Sequence, residues 1–230
     1  MAVDDSYSKA LLHMDGTDAS TTFTDESGKT WTARGNAQID TAQSVFGGAS
    51  GLFDGTDDYI DTPDSNDWYL DDGNNANYWT IDFWVRFANT NIGGIVSQIK
   101  SATEWWSLHC STGYLYFEAM YGTPQISLYK AFSGSINTWY HAAIVKDGTT
   151  YRFFKGGVSL GTGTSTGVLQ NYANSLYIGR GRNDSNEYYL NGWLDELRIS
   201  KGIARWTDDF TPPVYAYGTS PMGNNNIWWG

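Results

Sequence analysis

Apolar and polar residues alternate with a period of two through most of this chain, the spacing of half-buried β-strands. The clearest run is Tyr78–Phe87, where Trp79, Ile81, Phe83, Val85 and Phe87 make one face and Thr80, Asp82, Trp84 and Arg86 the other. Further runs lie at 10–14, 52–53, 59–60, 94–99, 104–110, 114–121, 125–131, 139–146, 151–155, 175–178 and 192–200. Asp147-Gly148 and Gly156-Gly157 supply residues that tolerate positive φ, the mark of tight hairpins. Two stretches break the pattern. Residues 62–77 are rich in Asp and Asn and predict a long surface loop. Residues 203–209 have the apolar spacing of one helical turn, stopped by Thr211-Pro212-Pro213. The expected class is all-β.

The run at 192–200 raises a chemical question. Strict alternation puts Trp193, Asp195, Leu197 and Ile199 on one face, and three of these four are large and apolar. A carboxylate on such a face costs roughly several kcal/mol unless it is paired, hydrogen-bonded or bound to a cation. A structural cation site at Asp195 is one expectation. The alternative is a carboxylate near the strand's wet end, held by backbone N–H groups.

Composition narrows the function. The 230 residues include 26 Gly, 11 Trp and 16 Tyr, and carry a formal net charge of −11. One β domain over residues 1–213 is expected, with a tail over 214–230. Such acidity, without a basic stripe, argues against a nucleic-acid partner. A single cysteine, Cys110, excludes an intramolecular disulfide framework and reads as a small buried apolar residue. No apolar run approaches membrane-spanning length, and the acidic start Met1-Ala2-Val3-Asp4-Asp5 is no signal peptide. An extracellular or virion-surface location is expected, reached without a signal in this chain, as for a virus component released by lysis. The tail ends Ile227-Trp228-Trp229-Gly230. Paired tryptophans at a terminus need a docking surface, so Trp228 and Trp229 are candidate assembly contacts in a homo-oligomer.

Ordered pieces of the chain resemble the laminin-G-like, concanavalin A-like domains of bacterial surface and phage structural proteins. They are Leu11-Leu12-His13-Met14-Asp15-Gly16, Asp25-Glu26-Ser27-Gly28-Lys29, Phe46-Gly47-Gly48-Ala49-Ser50 and Leu52-Phe53-Asp54-Gly55-Thr56-Asp57-Asp58-Tyr59-Ile60. Thr80-Ile81-Asp82-Phe83-Trp84-Val85-Arg86, Trp139-Tyr140-His141, Leu176-Tyr177-Ile178-Gly179, Leu194-Asp195-Glu196-Leu197-Arg198-Ile199-Ser200 and Ala204-Arg205-Trp206 complete the set. The resemblance implies a two-sheet antiparallel jelly-roll sandwich with a C-terminal extension. It also implies a structural Ca²⁺ near the chain ends, held by Asp195 with oxygens from Asp15 or Gly16 and from Asp54-Gly55. Asp57 and Asp58 are alternatives, each equally readable as a turn residue capping its own backbone.

Related glycanases need two carboxylates on one strand face, in a Glu-x-Asp-x-Glu run or a variant one residue longer. No such run occurs: Asp195 and Glu196 are adjacent and face apart, while Glu104 and Glu118 stand alone. His13, His109 and His141 lie among strand apolars without a catalytic motif, and read as core or hydrogen-bonded residues. Sugar sites combine aromatic platforms with polar side chains. The candidates are Trp105, Trp106, Tyr114 and Tyr116, with Tyr121 and Tyr129 beside them, and Asn183, Asp184, Asn186 and Tyr188 of a polar loop. Adjacent Trp105 and Trp106 face opposite sides, so one is expected to be an exposed platform. The expectation is a non-catalytic adhesion or carbohydrate-binding domain on a virus particle or cell exterior, with a glycan as partner. A purely structural virion or filament subunit is the alternative, and a glycoside hydrolase a distant third.

Overall fold

The computed structural model describes residues 5–72, 78–89 and 93–218. Trp228 and Trp229 lie outside the described residues. The first strands are β1 (Ser8–Leu12), β2 (Thr32–Arg34), β3 (Gln38–Asp40), β4 (Ser50–Asp54), β5 (Tyr59–Thr62) and β6 (Tyr78–Phe87). Next come β7 (Gly93–Ser101), β8 (Glu104–Ser111), β9 (Tyr114–Tyr121), β10 (Thr123–Ala131), β11 (Trp139–Asp147) and β12 (Thr150–Lys155). The last are β13 (Val158–Thr164), β14 (Leu176–Ile178), β15 (Arg180–Arg182), β16 (Glu187–Tyr189) and β17 (Asn191–Lys201).

Two antiparallel sheets result. One runs β13-β12-β11-β6-β17-β4-β3, with β1 also paired to β17; the other runs β10-β9-β8-β7-β14-β5-β2. Their inner faces make a single core, in which Ile81, Phe83 and Phe87 of β6 meet Trp106, Leu108, Leu115 and Phe117 of β8 and β9. The expected all-β sandwich is present, and the chain's first and last long strands do lie side by side: Leu12 opposes Leu197.

Strand β17 departs from strict alternation. Its first half pairs with β4 and its second half with β1, and its pairing with β6 slips between Asp195 and Arg198. Glu196 sits at the slip with φ 49°, the signature of a β-bulge. The bulge inverts the side-chain phase. Leu194, Leu197 and Ile199 all enter the core, while Trp193 is only half-buried. Asp195 therefore does not share the face of Leu197 and Ile199, and lies on the outside of its sheet.

That outer face is covered by the chain that follows. Asp82 is fully buried there and takes both an Arg198 Nε contact at 3.1 Å and an Nη2 contact at 3.3 Å. The Tyr217 hydroxyl donates to the same carboxylate, and the Arg198 guanidinium lies 3.8 Å above the Tyr217 ring. Pairing with Arg198 and hydrogen bonds from Tyr217 and His141 hold the Asp82 carboxyl well below the usual range despite its burial. Residues 203–209 form no helix; Trp206 and Phe210 instead stack at 3.9 Å against the sheet beside His141. The 62–77 segment is not wholly a surface loop either. Trp68 and Leu70 are buried, and buried Asp71 accepts from Lys146 Nζ at 2.6 Å.

Candidate functional site

Alternation on β8 and β9 sends Trp106, Leu108, Cys110, Leu115, Phe117 and Ala119 into the core. Their neighbours Ser107, His109, Ser111, Tyr114, Tyr116 and Glu118 consequently project from the sheet's outer face. The β15–β16 hairpin folds onto that face. Its approach is so close that a Cβ on Gly94 would lie 1.8 Å from Gly181 N, so glycine is required at this crossing. Ser97 Oγ donates to Arg180 O at 2.8 Å, and Arg182 N donates to Ser107 Oγ at 3.0 Å, fixing the hairpin to β7 and β8.

Between hairpin and sheet is a cleft of about 300 Å³, lined by His109, Ser111, Tyr116, Glu118, Asn183, Asp184, Ser185 and Tyr188. His109 is sandwiched between Tyr116, at 5.1 Å and 4° from parallel, and Tyr188, at 5.0 Å and 17°. Ser107 Oγ, which accepts the Arg182 N–H, also lies 3.2 Å from His109 Nδ1, in a contact whose donor is set by the imidazole tautomer. Burial lowers the imidazole pKa to about 4, so His109 is neutral at neutral pH. Its Nε2 stands 3.8 Å from Glu118 Oε2, and this contact is not an ion pair in that state. The other Glu118 oxygen accepts from Ser127 Oγ at 2.9 Å. Burial, with the nearby Asp184 charge adding to it, raises the Glu118 pKa. Asn183 shapes the opposite wall: Nδ2 donates to the Tyr188 hydroxyl at 2.7 Å, while Oδ1 accepts the Ser185 and Asn186 N–H groups.

The structure thus gathers Tyr116, Asn183, Asp184 and Tyr188, four of the expected ligand residues, and adds His109, Ser111 and Glu118. Asn186 orders the loop through its backbone, and Tyr114 lies beside the cleft, 6.2 Å from Tyr116. The two tryptophans are corrected. Trp106 is in the core, and Trp105 is buried with Ile99, Met120 and Tyr177 on the outer face, so neither presents an exposed ring. Alternation correctly separated them, but a flanking cluster covers the outward one.

The expected cation ligands split into two groups. Asp195 is fully buried; its Oδ2 accepts from Val45 N at 2.7 Å and Phe46 N at 3.2 Å, while Oδ1 is buried without a hydrogen-bond partner among the described residues. Burial, with the Glu196 and Asp15 charges adding to it, raises the Asp195 pKa to about 7. Asp15 lies over the same loop, close enough that a Cβ on Gly47 would collide with its carboxylate. Glu196 pairs with His13 Nδ1 at 2.7 Å. An orphaned buried oxygen, with the Asp15 carboxylate over the same loop, is a donor set that a hard cation would neutralise. Gly16 packs toward Ile39. Asp54 pairs with Asn191, roughly 13 Å along β17 from Asp195 at strand rise, so the Asp54-Gly55 turn does not join this site. Instead Asp54, Asp57 and Asp58 bring carboxylate oxygens within 4.8 Å of one another. Asp58 spends its oxygens on the Asn36 and Asp54 N–H groups, as a turn-capping residue does.

A laminin-G-type family model, described as the concanavalin A-like lectin/glucanases superfamily, matches residues 54–206. The chain belongs to this superfamily. Among solved structures of this fold, domain 4 of AbnA, a GH43 extracellular arabinanase from Geobacillus stearothermophilus, in complex with arabinotriose, is similar at 19% identity. Its TM-score is 0.62, over 85% of this chain and 92% of that one. The receptor binding domain of botulinum neurotoxin C/D mosaic serotype matches at 15% identity and TM-score 0.62, over 89% of this chain and 49% of that one. The binding domain of botulinum neurotoxin DC in complex with rat synaptotagmin II matches at 18% and 0.61, over 90% and 50%. This chain spans about half of either toxin domain, and at these identities the likeness shows a shared fold. No curated protein matches in sequence. Among the described residues, no helix is long and apolar enough to cross a membrane.

Proposed function

We propose that this member of the superfamily is a non-catalytic glycan-binding domain, and that the cleft between β8, β9 and the β15–β16 hairpin holds the sugar. One observation carries the reading: Nε2 of the neutral His109 imidazole faces a carboxylate acceptor, Glu118 Oε2, across 3.8 Å in a polar, ring-walled cleft. That gap is too wide for a good direct hydrogen bond, and with the ring proton on Nε2 it suits one hydroxyl that accepts from the imidazole and donates to the carboxylate. Asn183, Asp184 and Ser185 at the rim offer further polar partners. Binding without turnover is supported by the placement of the acids. Glu118 is the one carboxylate on β9, and Asp184 belongs to the hairpin loop, so no pair shares a strand face in the cleft.

The relatives' descriptions agree with a sugar ligand: one is in complex with arabinotriose, and another concerns a toxin whose cell entry depends on two ganglioside molecules. We place the domain on a cell exterior or virion surface, where such a ligand is met, as part of a homo-oligomer, which light scattering tests against a monomer's mass. A Ca²⁺ held by Asp195 and Asp15 completes the proposal as a structural ion, remote in role from the cleft.

The test is a glycan array that includes plant and bacterial cell-surface polysaccharides, with Glu118→Gln and Tyr188→Ala beside the parent protein. Binding by the parent that falls at least about tenfold in both variants supports the site. A parent protein that binds nothing, or variants that bind as it does, overturns it, and sugar release from a bound polysaccharide would overturn the non-catalytic part.

A further inference from the structure

The rings of the cleft belong to a longer row. His109, Tyr116 and Tyr129 are direct cross-strand partners on β8, β9 and β10. Their centroids are 5.1 and 5.2 Å apart, and Tyr188 continues the row at 5.0 Å on the hairpin side. This is the interstrand repeat, about 4.8 Å, transferred to the side chains. Because His109 and Tyr116 each have a ring on both sides, they offer a ligand edges and polar atoms, not faces. The most exposed ring of the row is at the far end. Tyr129 is 53% exposed on β10, the sheet's terminal strand, and Tyr114, 39% exposed, stands edge-on to it at 5.5 Å and 87°. A second row, Ser107, Glu118 and Ser127, runs parallel to the first across the same three strands.

We propose that the cleft is one subsite of several, and that the protein takes an extended, uncharged glycan laid across β8, β9 and β10. One sugar would occupy the cleft and a later one would stack on Tyr129. The inference rests on the glycan reading of the cleft. Three features support it. The polar positions repeat along the row at about the strand spacing, a period that successive units of a stretched chain can match. Tyr129 provides the apolar platform that an interior sugar's C–H face needs, outside the cleft itself. Glu118 and Asp184 are the charged groups lining the cleft, and both would repel an acidic sugar.

Affinity gel electrophoresis with linear arabinan, xylan, mixed-linkage β-glucan, galactomannan and galactan identifies a retarding polysaccharide. Its oligosaccharides of one to four units are then titrated by calorimetry. Affinity should climb by about two- to tenfold with chain length, the scale of one aromatic stacking contact. Tyr129→Ala should abolish the gain for the longest oligosaccharide and leave the shortest within twofold, while Tyr129→Phe retains it. Tyr129 is exposed, and circular dichroism checks that both variants fold. Affinity independent of length, or a Tyr129→Ala series identical to the parent's, overturns this inference and leaves the glycan reading standing. A parent protein retarded by none of the polysaccharides overturns both.

Discussion

His109 and Glu118 face one another across 3.8 Å with their pKa values displaced in opposite senses, the imidazole down and the carboxyl up. Burial drives both shifts, because it disfavours the charged form of either group. The cleft floor therefore sets a neutral imidazole beside a carboxylate whose charge burial makes costly to leave without partners.

A stability signature follows from His109. Its folded pKa is about 4 against an ordinary 6.5, so the unfolded chain binds more protons between these values, and stability is lost as pH falls through that window. The full displacement corresponds to roughly 3 kcal/mol. Glu118, shifted upward, opposes part of this loss. The His109→Gln variant should lose less melting temperature than the parent protein between pH 7 and pH 4, measured by differential scanning calorimetry. Equal losses would show that His109 titrates normally.

Trp106 and Tyr188 should separate folding from binding. Trp106 is buried in the core, with Nε1 donating to Gln98 Oε1 at 2.9 Å. Trp106→Ala is expected to destabilise by about 3–5 kcal/mol. Tyr188→Ala should cost far less stability and remove one wall of the His109 stack. Urea denaturation read beside glycan retardation checks the pair; a Trp106→Ala protein of parental stability would contradict the core placement.

Gly94 controls whether the hairpin can sit on the sheet. A Cβ there would lie 1.8 Å from Gly181 N and 2.1 Å from Arg180 C, and neither backbone atom can swing aside. Gly94→Ala should displace the hairpin, lower stability by about 1–3 kcal/mol and weaken glycan binding together. Amide hydrogen exchange of residues 180–189 is the direct readout, with unchanged protection as the contrary outcome.

Asp195 provides the cation test. Millimolar CaCl₂ should raise the melting temperature of the parent protein by roughly 5–10 °C over chelator, the effect of a ligand at about a hundred times its Kd. Asp195→Asn should abolish the difference. A parent protein that melts alike in both buffers contains no such ion site.

Much of this was legible in the chain. Two-residue alternation located the long strands other than β13, and it put Asp82, Trp84 and Arg86 on one face of β6, as found. Asp195 was expected to be buried, and it is; its face was misassigned, because a bulge at Glu196 leaves no mark beyond two adjacent acids. The short strands β2, β3, β15 and β16 escaped notice, since three residues are too few for a period to show, and seven-residue β13 did so because its Gly and Thr positions carry no apolar alternation. His109 was expected to be a core or hydrogen-bonded residue, and it is both buried and within hydrogen-bond reach of Ser107, but its place on the floor of a cleft was not foreseen. The signal that would have placed it is the contrast between wholly apolar alternate positions on β8 and β9 and the polar set Ser107, His109, Ser111, Tyr116 and Glu118 between them. What no pattern conveys is that a distant hairpin, carrying Asn183, Asp184 and Tyr188, closes over that polar face.

The most direct measurement is a two-dimensional ¹H–¹⁵N spectrum of labelled protein titrated with arabinotriose and with the oligosaccharides of any polysaccharide that retards it. Shift changes should concentrate at His109, Tyr116, Glu118 and the 183–188 loop, and saturate with added sugar. Saturable changes confined instead to the 204–210 loop or to the Asp54–Asp58 turn, or no changes with any sugar, would contradict a glycan site in this cleft.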